Sequence, residues 1–249
     1  MNRIYKAIAI LGITTALGRL ASTAHATPTL SRLSLGEQSL RQFQRPEALI
    51  VPKTADEFFQ RGTDKLDKED YQGAIEDFNQ VLQINPNFVE AYCNRGLARA
   101  GLEDYQGAIA DFQQALQVSP NHADAYNKLG NAYAAQSNFQ TAIENFDAAV
   151  RLDPNMADAY YNRGLTRYTL GDKQGALADY TQALRINPSM AEAYGNRGIT
   201  REALGDKKGA LEDLQKAAEL FRAQGDMAAY QQTLALIETL MPNKTIFSW

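Results

Sequence analysis

Cysteine and histidine are almost missing from this 249-residue sequence, and each shortage excludes a kind of protein. The lone cysteine, Cys93, has no partner for an intramolecular disulfide, so stability has to come from packing. Histidine occurs only at His25 and His122, which leaves acid–base and nucleophilic chemistry few participants. There is no glycine-rich phosphate loop and no cluster of residues at metal-ligand spacing, so we expect no catalytic site, cofactor or metal. Positive charge is also short: the formal net charge of −4 argues against a nucleic-acid partner.

Long hydrophobic runs are limited to the first residues. Arg3 and Lys6 precede an uncharged, mostly apolar stretch from Ala7 to Leu17, and Ala24-His25-Ala26 offers small residues where a signal peptidase inspects. Residues 1–26 therefore predict a signal peptide cleaved after Ala26, and an exported product in a periplasm or equivalent lumen. Loss of Arg3, Lys6 and Arg19 with the leader takes the net charge from −4 to −7. Arg19 interrupts the apolar run well short of the about 20 residues a membrane span needs, so no stable anchor is expected after cleavage.

What is present is a period. Gly62, Gly96, Gly130, Gly164 and Gly198 are spaced 34 residues apart, and Ala74, Ala108, Ala142, Ala176 and Ala210 repeat the step. Two aromatic columns follow it: Phe58, Tyr92, Tyr126, Tyr160, Tyr194, and Phe78, Phe112, Phe146, Tyr180, which Leu214 completes. Within a unit the apolar and small residues step by four and three, which predicts two helical stripes. Asp70, Asp104, Asn138, Asp172 and Asp206 sit where a second helix would begin and would cap its orphan amides. Pro86, Pro120, Pro154 and Pro188 close four units, since the residue before proline is pushed out of the helical region. A helix pair cannot bury its apolar face alone, so stacking of neighbours is required.

These columns resemble the tetratricopeptide repeat over about two-thirds of the chain, with units at 55–88, 89–122, 123–156, 157–190 and 191–224. The resemblance implies an all-α, right-handed superhelical solenoid of five helix-turn-helix units with a concave inner wall. Arg222 replaces the fifth proline, so the last helix of that unit should run to Gln224, and Gly225 should break it. Asp226 then caps a further helix over residues 225–241, whose stripe of Met227, Tyr230, Leu234, Ile237 and Met241 would close the core. Residues 27–54 read as an irregular lead-in with a short helix possible near Leu35 to Phe43, and Thr54 caps the first repeat helix. The tail 242–249, with Ile246, Phe247 and Trp249, is either frayed or folded back.

The resemblance also implies that the first helix of each unit lines the concave wall. One wall column then holds Gln60, Asn94, Lys128, Asn162 and Asn196, a row of amides interrupted once by lysine. A carboxamide offers donor and acceptor together, which matches a peptide unit of an extended ligand. Asn127, Asn131, Tyr161 and Tyr168, with Cys93, Leu97, Leu165 and Ile199, supply the side-chain contacts of such a groove. Asp56, Glu90, Asp124, Asp158 and Glu192 fall in the first turns, where they complement the helix dipole or form an acidic ledge for basic partners. The expected partner is an unidentified protein or peptide. A structural adaptor working through its convex face, its tail or self-association is the alternative.

A second set of residues reads as structural. Arg95 and Arg99 accompany Asp111, Arg163 and Arg167 accompany Asp179, and Arg197 and Arg201 accompany Asp213. Unit one agrees with Arg61, Lys65 and Asp77, whereas unit three has Leu129, Tyr133 and Asn145 in the same columns. Acid and base vanish together, which predicts ion pairs joining the two helices of a unit.

Overall fold

The structure is a computed structural model, and it describes residues 54–241. The leader, the lead-in up to residue 53 and the tail 242–249 lie outside the described residues, and so do the expectations placed on them. Among the described residues there are eleven α-helices and no strand. They are α1 Ala55–Asp67, α2 Tyr71–Ile84, α3 Val89–Gly101, α4 Tyr105–Val118, α5 Ala123–Ala135, α6 Phe139–Leu152, α7 Ala157–Thr169, α8 Lys173–Ile186, α9 Ala191–Ala203, α10 Lys207–Gln224 and α11 Met227–Leu240.

Helices α1 to α10 pair consecutively into hairpins, here numbered first to fifth, and each hairpin packs on the next. Local chemistry sets their ends. Every second helix has the same N-cap, in which the side chain of Asp70, Asp104, Asn138, Asp172 or Asp206 accepts a backbone N–H three residues on. The second helices stop at Asn85, Ser119, Asp153 and Asn187, each directly before a proline. Without that proline α10 continues to Gln224, where Gly225 adopts φ 79° and ends it.

Gly and Ala bring the paired helices together. A Cβ added at Gly96 would stand 2.6 Å from the Phe112 ring, and at Gly130 equally close to Phe146. Ala74, Ala108, Ala142, Ala176 and Ala210 are fully buried on the opposing helices. Phe78, Phe112, Phe146 and Tyr180 fill the space beside them.

Ala91, Ala125, Ala159 and Ala193 are fully buried, whereas the same column in the first hairpin carries Glu57, which is exposed and completes a capping box with Thr54. Asp64 is likewise exposed where later hairpins bury Ala98, Ala132, Thr166 and Thr200. The first hairpin thus turns a polar face outward, as a solenoid end requires. At the other end α11 buries Ala229, Thr233 and Ile237 against α10. The expected stripe needs one correction: Met227 is 51% exposed, because it is the first residue of α11 and lies beyond the seam.

First helices of successive hairpins touch one another, whereas second helices of successive hairpins have less mutual contact. The stack is therefore tighter on the first-helix side, and that side forms the inner wall.

Candidate functional site

The inner wall is built from α1, α3, α5, α7 and α9. Asp124 and Lys128 form an ion pair one turn apart on α5, which puts the acidic first-turn column and the amide column on the same stripe. Along that stripe Asp56, Glu90 and Asp158 are exposed and carry no ion pair among the described residues, while Glu192 is buried.

The amide row is not open along its whole length. Asn162 donates its Nδ2 to Asn127 Oδ1 at 3.1 Å, and Asn196 donates its Nδ2 to the Tyr161 hydroxyl at 3.0 Å. All four side chains are buried, because neighbouring first helices pack closely enough to cover them. These bonds join successive hairpins, so the expectation of free rungs facing a guest is corrected for Asn127, Asn162, Asn196 and Tyr161. Cys93, Leu97 and Ile199 are buried too. Burial pushes the Cys93 thiol up to about 12, which leaves it protonated and unreactive. Asn94, Lys128, Asn131, Leu165 and Tyr168 remain half-buried and can meet a guest chain.

The arginines point away from this wall, into the hairpins. Asp111 takes Arg95 Nη2 at 2.6 Å and Arg99 Nη1 at 2.9 Å. Asp179 takes Arg163 Nη2 at 2.6 Å and Arg167 Nη1 at 2.8 Å, and Asp213 takes Arg197 Nη2 at 2.6 Å and Arg201 Nη1 at 2.9 Å. Asp77 is paired with Arg61 and Lys65. In the third hairpin Leu129 is buried and Asn145 donates to the Thr141 carbonyl of its own helix.

Column-by-column reading missed the third bond of these arginines. Arg95 Nη1 reaches Asn79, Arg163 Nη1 reaches Asp147 and Arg197 Nη1 reaches Thr181, all on the second helix of the hairpin before. Each arginine also lies over an aromatic ring one turn earlier, such as Arg163 over Tyr160 at 5.3 Å. The signal was present: those acceptors lie 16 residues before the arginine, as its own aspartate lies 16 after.

Models described as tetratricopeptide repeat match residues 65–127, 127–191 and 161–228, most of the chain. The chain belongs to the tetratricopeptide-repeat family. Solved structures agree. MamA is 29% identical with a TM-score of 0.59, the match covering 66% of this chain and 96% of that one. TTC0263 of Thermus thermophilus is 22% identical with a TM-score of 0.62, covering 73% and 100%. YrrB, described as a TPR protein with an unusual peptide-binding site, is 22% identical with a TM-score of 0.56, covering 73% and 91%. No curated protein matches the chain. This tetratricopeptide-repeat chain is a protein-interaction scaffold and not an enzyme. Among the described residues no helix is long and apolar enough to cross a membrane, and no group of side chains has the make-up of a metal site.

Proposed function

We propose that the inner wall holds an extended, basic segment of another protein. One observation carries this: Asp56, Glu90 and Asp158 stand exposed along the wall, while the arginines of the same helices are turned inward onto Asp77, Asp111, Asp179 and Asp213. The wall is left acidic, and complementary charge steers a cationic chain toward it. Asn94 and Asn131 supply peptide-like donors and acceptors, and Leu165 and Tyr168 supply apolar contact area. The same fold carries a peptide-binding site in YrrB.

The test compares proteins that copurify with the wild type and with a Glu90→Lys, Asn131→Ala, Asp158→Lys variant. Loss of the same partners from the variant supports the groove; equal recovery of every partner removes it. Weakening of the retained interaction by salt is expected as well.

The adaptor reading has its own observation. Leu102, Leu170 and Leu204 occupy one column at the ends of α3, α7 and α9, with Leu102 48% and Leu170 51% exposed. Their replacement by serine abolishes capture only if the partner docks on that edge. As for location, we infer that the leader 1–26 delivers the scaffold to an envelope or lumenal complex. A mature chain whose first residue is Thr27 is expected on N-terminal sequencing.

A further inference from the structure

The fourth hairpin, α7 with α8, has a core unlike the others. Where hairpins one to three bury Phe78, Phe112 and Phe146 and the fifth buries Leu214, it buries Tyr180. The ring fills the same space, but its hydroxyl is fully buried and has no hydrogen-bond partner among the described residues. A phenol cut off from water and from protein acceptors is destabilising compared with the phenylalanine used elsewhere.

The surroundings of Tyr180 are unusual in the same hairpin. The Tyr161 ring lies 5.9 Å from it at an interplanar angle of 47°. Burial, first, and then the proximity of Tyr161, Tyr168 and Asp179 oppose ionisation of Tyr180, so its hydroxyl keeps its proton and must donate. Other hairpins place Phe59, Cys93, Asn127 or Gly195 in the Tyr161 column, and Leu66, Ala100, Ala134 or Glu202 in the Tyr168 column. Only the fourth brings three phenols together. Tyr161 also accepts the Asn196 amide from α9, so this group of phenols is continuous with the polar seam of the inner wall.

We propose that the fourth hairpin binds an ordered water at the Tyr180 hydroxyl, held between the phenols of Tyr161 and Tyr168. A buried water requires two to four polar partners, and the three tyrosines, packed with Ala176, Ala183 and Leu184 in one cluster, provide them. The water receives the Tyr180 proton and donates to the phenols of α7. It ties the second-helix core to the wall helix and fixes how Tyr161 and Tyr168 are presented. The site stands or falls independently of whether a guest chain occupies the groove.

Crystal structures of the full chain and of Tyr180→Phe, at a resolution that shows ordered solvent, test this directly. The expected result is a solvent peak at hydrogen-bonding distance from Tyr180 Oη and from the Tyr161 or Tyr168 oxygen, absent in the variant. The variant should fold, since phenylalanine fills this column in three other hairpins. Its Tm should be unchanged or lower. No peak in the wild type, a direct bond from Tyr180 Oη to protein, or a higher Tm in Tyr180→Phe overturns the proposal.

Discussion

Arg163 donates from Nη1 to Asp147, 2.6 Å away on the second helix of the preceding hairpin, while its Nε and Nη2 hold Asp179 in its own. One guanidinium therefore stitches the inside of a hairpin and the seam between two. The aspartates are unequal: the Asp179 side chain is 4% exposed and Asp147 44%. Asp179→Ala leaves Arg163 and Arg167 without a counter-charge in a covered site and is expected to cost about 3–5 kcal/mol. Asp147→Ala removes a solvated partner and is expected to cost less than about 1 kcal/mol. Urea unfolding midpoints of the two variants separate these outcomes, and equal shifts would contradict the assignment.

The close approach at Gly96 has a built-in control. A methyl there meets the Phe112 ring at 2.6 Å, so Gly96→Ala is expected to destabilise by about 1–3 kcal/mol through overpacking. In the fifth hairpin the corresponding Gly198 faces Leu214 instead of a ring. Adding Phe112→Leu to Gly96→Ala should therefore recover part of the loss, and thermal unfolding of single and double variants reads the coupling.

Much of this fold was legible because one pattern is written repeatedly. The Gly62 and Ala74 columns, the Asp70 caps and the prolines each state a local rule, and a rule repeated at a fixed step fixes both helices and stacking. Arg222 in place of proline was enough to lengthen α10. The inner wall was less legible, since Asn162 and Asn196 are satisfied by residues of the neighbouring hairpin in the adjacent column. How closely two first helices approach is decided by their summed packing, and no single column carries it. Met227 failed for a simpler reason: it opens α11 and sits at the end of a stripe that Tyr230, Leu234 and Ile237 continue against Leu214 and Ala218.

Three turns between paired helices hold a side chain in a conformation that suits glycine. Glu69, Glu103 and Ser137 have φ of 60°, 61° and 61°, while Gly171 and Gly205 occupy the same column at 88° and 89°. The left-handed region is unfavourable for residues with a Cβ, and this outweighs the extra unfolded-state freedom of glycine. Glu103→Gly is expected to raise stability by about 0.5–1 kcal/mol, and Gly171→Ala to lower it. Calorimetric Tm values decide, and a lower Tm for Glu103→Gly would show that the side chain contributes something the turn geometry does not explain.

Asp77 gives the first hairpin a predictable acid sensitivity. Burial alone would raise its pKa, but hydrogen bonds from Arg61 and Lys65 and their charges outweigh it and hold the carboxyl below its ordinary 3.8. A carboxylate whose native pKa is depressed contributes stability that is fully present above the unfolded value and disappears as pH falls through the native one. The contribution of Asp77 should therefore be constant at neutral pH and begin to fall once pH drops to about 4. Asp77→Asn keeps the shape and removes the titration, so its Tm should start lower and change less below that pH than the wild type. Parallel Tm curves from neutral pH down to about pH 2 would mean that Asp77 binds protons equally in the folded and unfolded chains.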